Sequence, residues 1–127
     1  MTQPVKFSAK VIKGAGRGKK LEIPTINFDS KAVGNLKEGV YISKVVFPSG
    51  QYWGVLHFGP RPTFGEESKS LEVYLFDFDL VRLPKKLDIE IHSYIRKVVK
   101  FADPDQMVNR IKKDIEIAKK GIKLLQN

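Results

Sequence analysis

The 127 residues carry 23 Lys and Arg against 14 Asp and Glu, a formal charge of +9, with 42% hydrophobic and 29% charged residues and no cysteine. This length suits one domain over residues 1–127 with one core; the composition excludes a disordered or fibrous chain, and the absent cysteines exclude a disulfide framework and thiolate metal sites. No apolar run approaches the ~20 residues of a membrane span, and Met1–Lys20 lacks a signal peptide's apolar centre, so the chain reads as a soluble cytoplasmic protein without a membrane partner.

In chain order, strand patterns cover Val5–Ile12, Gly39–Phe47, Gln51–Phe58, Ser70–Phe78 and Leu87–Arg96, each rich in β-branched and aromatic residues. Pro48-Ser49-Gly50 closes a hairpin between the second and third. In Ser70–Phe78, Leu71, Val73 and Leu75 share one face while Glu72, Tyr74 and Phe76 share the other; both faces carry bulk, so both are expected to be covered. Several short strands at this spacing predict a small antiparallel barrel or sandwich. The C-terminus changes period. Asp103-Pro104-Asp105-Gln106 supplies an N-cap, a first-turn proline and a capping-box glutamine. Met107, Ile111, Ile115, Ala118 and Ile122 then form one apolar stripe, with Lys112, Lys113, Lys119 and Lys120 largely off it. A terminal amphipathic helix is predicted, with Gly121 as a candidate end to its regular part.

Two adjacent segments carry chemistry. In Gly14-Ala-Gly-Arg-Gly-Lys-Lys20, glycines let backbone N–H groups converge on an anion while Arg17, Lys19 and Lys20 add charge. The spacing fits neither a Walker loop nor a Rossmann fingerprint, and for the segment taken alone a plain flexible turn is the commoner account. In Pro24-Thr25-Ile26-Asn27, Thr25 and Asn27 stand two apart in extended chain and point the same way. Their neutral oxygens suit a Mg²⁺ that keeps waters and bridges phosphates; hydrogen bonds within a turn are the alternative. Glu72, mid-strand, reads by pattern alone as an outward-facing residue.

Together the blocks Gly14-x-Gly-Arg-Gly, Leu21-x-Ile-Pro-Thr-x-Asn27, Gly39-Val-Tyr, Gly59-x-Arg-Pro-Thr-Phe64, Leu71-Glu-Val and Asp77-Phe resemble riboflavin kinase, in order and spacing, from about Phe7 to about Lys120. The resemblance implies a mainly β fold, a six-stranded antiparallel Greek-key barrel with a C-terminal helix, and transfer of the γ-phosphate of ATP to the 5′-hydroxyl of riboflavin, giving FMN and ADP. It implies Glu72 as catalytic base and Thr25 and Asn27 as Mg²⁺ ligands. Gly14, Gly16, Arg17, Gly18, Lys20, Pro24 and Thr25 would contact the nucleotide. Arg96 aligns with an arginine beside the family's flavin site, and Phe76 is a candidate wall for the isoalloxazine, with core packing as its alternative. Glu22, Pro84 and Val98 stand where the family usually has Gly, Gly and Glu.

A charge of +9 favours anionic partners or serves only as a solvated basic surface. The expected partners are riboflavin or FMN and ATP or ADP, with the protein a monomer and nucleic acid not expected. Two other readings are a basic β-barrel that binds nucleic acid, and a non-catalytic relative that binds flavin or nucleotide.

Overall fold

The computed structural model describes residues 4–13, 23–78 and 82–126. Among the described residues six strands, β1 (Val5–Ile12), β2 (Ile26–Phe28), β3 (Gly39–Phe47), β4 (Gly50–Arg61), β5 (Glu66–Leu75) and β6 (Lys86–Arg96), precede one α-helix, α1 (Pro104–Leu125). They close into a barrel in the order β1-β2-β5-β4-β3-β6, every neighbouring pair antiparallel. The β3-β4-β5 meander with β6 returning beside β3 is a Greek key. Closure leaves no free sheet edge.

Alternation along the strands builds the interior. Ile26 and Phe28, Leu56 and Phe58, Leu71, Val73 and Leu75, and Leu87, Ile89 and Ile91 point inward and are buried. A second cluster lies outside the barrel wall, where Val40, Ile42 and Val55 meet Ala118 and Ile122 of α1, flanked by Trp53, Phe76, Ile95 and Ile115. Burying this outer patch is what the helix stripe does, and Lys112, Lys113, Lys119 and Lys120 remain exposed. The Asp103 side chain caps α1 by accepting from the Gln106 N–H at 2.9 Å.

Several boundaries differ from the sequence reading. Thr25–Asn27 is more than extended chain, since Ile26–Phe28 pairs with both β1 and β5. β4 runs on to Arg61, past Pro60, which has no N–H to give a ladder and sits at a register break where β5 carries the extra residues. β5 begins at Glu66 and stops at Leu75; Phe76 still donates to the Trp53 carbonyl at 2.9 Å, and Asp77 at φ 54 then turns the chain away. The outer side of that strand is only half-buried at Glu72 and Tyr74, so its two faces are not equally covered. Gly121 does not end α1. A Cβ there would lie 2.7 Å from Ile42 Cδ1, so the glycine lets the helix approach the barrel.

Candidate functional site

Register sets one row of outward-facing residues across four strand pairings. Asn27 on β2 pairs with Glu72 on β5, Glu72 with His57 on β4, His57 with Val40 on β3, and Val40 with Arg96 on β6. Side chains on strands spaced by less than 5 Å are forced into contact along such a row. At its β2–β5 end stands Glu72, its side chain 16% exposed although it faces out of the barrel.

The two carboxylate oxygens of Glu72 have different partners. Oε2 accepts from Arg61 Nε at 2.8 Å and from Ser70 Oγ at 2.9 Å. Oε1 accepts from the Thr25 hydroxyl at 3.1 Å. Burial disfavours the charged carboxylate, but the Arg61 guanidinium, with further help from His57 and Ser70, outweighs it and holds Glu72 below the usual glutamate range. Glu72 is therefore ionised at neutral pH, with Oε1 on the side of Thr25.

His57, 8% exposed, places Nε2 3.0 Å from the Gly59 carbonyl and in its neutral form donates there. Burial first and the Arg61 charge second push it down to about 4, with Arg96 in the same direction, against the smaller opposing effects of the Gly59 carbonyl and Glu72. It is a neutral spacer between two guanidinium groups and a carboxylate.

Thr25 reaches Glu72 with its hydroxyl, and Asn27 pairs with Glu72 in register. The Asn27 NH₂ donates to the Thr25 carbonyl at 3.4 Å, leaving Oδ1 as the acceptor atom of that amide. Thr25 spends its proton on Glu72, so the lone pairs of its hydroxyl remain for a cation. Among the described residues no group of three His, Cys, Asp or Glu could hold a metal. Two neutral oxygens therefore fit an ion that takes most of its ligands from phosphate and water, the habit of Mg²⁺. Pro24, exposed, leads into this corner, whereas Gly14, Gly16, Arg17, Gly18 and Lys20 lie outside the described residues.

Arg96 and Phe76 lie elsewhere. Arg96 makes a fork onto the fully buried Asp114 of α1, with Nε 3.0 Å from both oxygens and Nη2 2.8 Å from Oδ2, and its Nη1 donates to the Lys97 carbonyl at 3.0 Å. Arg110 adds a contact to Asp114 at 3.2 Å. Arg96 is thus the tie between β6 and the helix, and His57 and Val40 separate it from Glu72 in the row. Phe76 packs in the helix-side cluster, with the Tyr74 ring at 5.9 Å and Lys119 Nζ over its own ring at 5.3 Å. Sequence reasoning left Arg61, Ser70, His57 and Asp114 without roles. Arg61 stood in the Gly59–Phe64 block, and Asp114 interrupted the apolar stripe of the helix between Ile111 and Ala118; either could have been singled out.

The family model described as riboflavin kinase (flavokinase) matches residues 1–122. Riboflavin kinase of Homo sapiens is 32% identical over 122 residues, covering 91% of this chain and 79% of that protein. The bifunctional riboflavin kinase/FMN adenylyltransferase of Haemophilus influenzae is 35% identical over 118 residues, 92% of this chain and 38% of the relative. The chain spans only 18% to 52% of the length of four bacterial relatives. The crystal structure of riboflavin kinase from Trypanosoma brucei superposes with a TM-score of 0.63 at 19% identity, over 96% of this chain and 82% of that one, a likeness of fold.

Proposed function

The chain belongs to the riboflavin kinase family, and we propose that it transfers the γ-phosphate of Mg-ATP to the 5′-hydroxyl of riboflavin, yielding FMN and ADP. The observation that carries the assignment of roles is the Glu72 carboxylate set against Thr25 and Asn27 across the β2–β5 pairing.

Phosphoryl transfer asks the protein mainly to position reactants and neutralise charge. Thr25 Oγ1 and Asn27 Oδ1 would hold Mg²⁺, which when bound would neutralise charge on the β- and γ-phosphate oxygens. Glu72 orients the acceptor: Oε1 already takes the Thr25 proton and, as a carboxylate oxygen, has a second lone pair for the ribityl hydroxyl. As the hydroxyl oxygen bonds to the γ-phosphorus and the bond to the β–γ bridging oxygen breaks, the hydroxyl proton passes to Oε1. A carboxylate held below its usual range is a weak base. It suffices in a loose transition state, where the hydroxyl becomes acidic only as the new bond forms. The glycine-rich segment Gly14–Lys20 is assigned to the nucleotide phosphates, and Phe76 and Arg96 to the flavin side. The same reading takes the protein as a cytoplasmic monomer.

Incubation with Mg-ATP and riboflavin, followed by chromatography, tests the proposal directly. FMN should accumulate with one ADP per FMN. Folded protein that binds riboflavin without forming FMN would refute the kinase reading in favour of a flavin-binding relative.

A further inference from the structure

We propose that Arg61 is a positioning residue for Glu72, reaching it from just beyond the register break of the β4–β5 ladder, and that it fixes which carboxylate oxygen faces the acceptor hydroxyl. The inference rests on the kinase reading above.

The geometry is built in three steps. Gly59, at φ 139, and Pro60 interrupt the β4–β5 ladder, so that Arg61 rejoins β5 out of register, opposite Glu66. Unbroken register would set Arg61 opposite Ser68; its partner Glu66 lies further along β5 from Glu72, whose direct partner is His57, so the Arg61 side chain reaches back along the ladder to the carboxylate. Second, the register break is pinned. Its Gly59 carbonyl accepts from His57 Nε2 at 3.0 Å, and Val98 closes over Gly59 so that an added Cβ would sit 3.0 Å from Val98 Cγ2. Third, from beyond the pinned break the Arg61 Nε–H reaches Oε2 at 2.8 Å, with Ser70 Oγ at 2.9 Å from the same oxygen.

The two ends of the carboxylate are therefore unequal. Oε2 is held by one charged and one neutral donor, and Oε1 only by the Thr25 hydroxyl. Arg61 and Glu72 side chains are each 16% exposed, so the pair is shielded from water and its geometry is stiff. Rotation of Glu72 would break the Arg61 bond, and with it the aim of Oε1. Arg61 acts here through Glu72, and the alternative, a direct contact between Arg61 and the phosphates, predicts a different kinetic pattern.

Steady-state FMN formation separates the two. Arg61→Gln should lower kcat by roughly 10²-fold, the cost of a misaimed reacting group, while KM for Mg-ATP and riboflavin stays within about twofold. Arg61→Lys keeps the charge and should recover about tenfold of that loss. In a Glu72→Gln background, Arg61→Gln should cost no more than about twofold, because the two residues act as one unit. Ser70→Ala, which leaves the ion pair, should lower kcat several-fold (about fivefold) at unchanged KM. Thermal melting reports whether each variant folds; if Arg61→Gln does not, the Lys and Ala variants decide. A raised KM for Mg-ATP with kcat retained, additive losses in the double variant, or unchanged kcat in Arg61→Gln or Ser70→Ala overturns the proposal. Wild-type protein that forms no FMN overturns the kinase reading and this inference together, whereas active wild type with indifferent variants overturns this inference alone.

Discussion

Acidification should destabilise the fold through His57 before the carboxylates begin to titrate. In the unfolded chain this histidine has its ordinary value of 6.5; in the folded protein burial and the Arg61 charge push it down to about 4. Between those values the unfolded chain binds a proton that the folded chain refuses, so stability falls as pH falls. The contribution is whole above pH 6.5 and lost progressively down to about 4. A gap of about 2.5 units at 1.36 kcal/mol per unit amounts to about 3 kcal/mol, of which about 2 kcal/mol has gone by pH 5. Against a typical total of roughly 5–15 kcal/mol that loss is large. Glu72 extends it. Its folded value lies below the ordinary 4.5, so its contribution is present above that value and lost as pH falls further.

Urea unfolding at pH 7, 6 and 5, followed by tryptophan fluorescence from Trp53, measures the effect. Wild type should lose about 2 kcal/mol from pH 7 to pH 5. His57→Gln keeps a side-chain N–H for the Gly59 carbonyl but removes the titrating ring, and its stability should change much less over the same range. Equal losses in the two proteins would refute the reasoning, since the proton taken up on unfolding would then not belong to His57. A wild type equally stable at pH 7 and pH 5 would refute it as well, by showing that the ring charges inside the fold at little cost.

Other substitutions test other parts of the structure. Glu72→Gln should lower kcat by roughly 10²–10⁴-fold while ATP affinity, measured by calorimetry, stays nearly unchanged. Thr25→Ala and Asn27→Ala should each raise the Mg²⁺ concentration giving half-maximal rate by roughly tenfold; an unchanged Mg²⁺ dependence removes both from that role. Gly54→Ala should cost roughly 2–3 kcal/mol in urea unfolding, because a Cβ there would lie 2.2 Å from the Tyr74 carbonyl oxygen, backbone that cannot swing aside. Asp114→Ala should cost roughly 3 kcal/mol by leaving a half-sheltered guanidinium unpaired, since Arg96 and Arg110 both rest on that carboxylate.

The barrel was legible where alternation was regular. Val5–Ile12 and Gly39–Phe47 match their strands residue for residue, and Asp103-Pro104 marked the start of the helix. The reading failed where a local breaker had a tertiary purpose. Pro60 looks like the end of a strand, yet it occupies a register break that the strand passes through. Gly121 looks like a helix terminus, yet it is a contact with Ile42. Ile26–Phe28 is too short for periodicity to announce, because three residues cannot show a period of two. In each case the deciding neighbour is distant in the chain.

The same limit explains why the site was only partly legible. A period of two tells which face of a strand a side chain takes and says nothing of what stands above that face. Glu72 is indeed outward-facing, yet it is sheltered, because Arg61 reaches back to it from beyond the β4–β5 register break and Thr25 reaches it from the approach to β2. Arg96 is the converse case. The family resemblance set it beside the flavin, and in the fold its fork is occupied by Asp114, a helix residue 18 positions on. These two arginines divide the work that the charge count left unassigned. One holds the Glu72 carboxylate and the other holds the helix against the barrel, and His57, kept neutral between them, lets both positive charges approach the same row of the wall without a third.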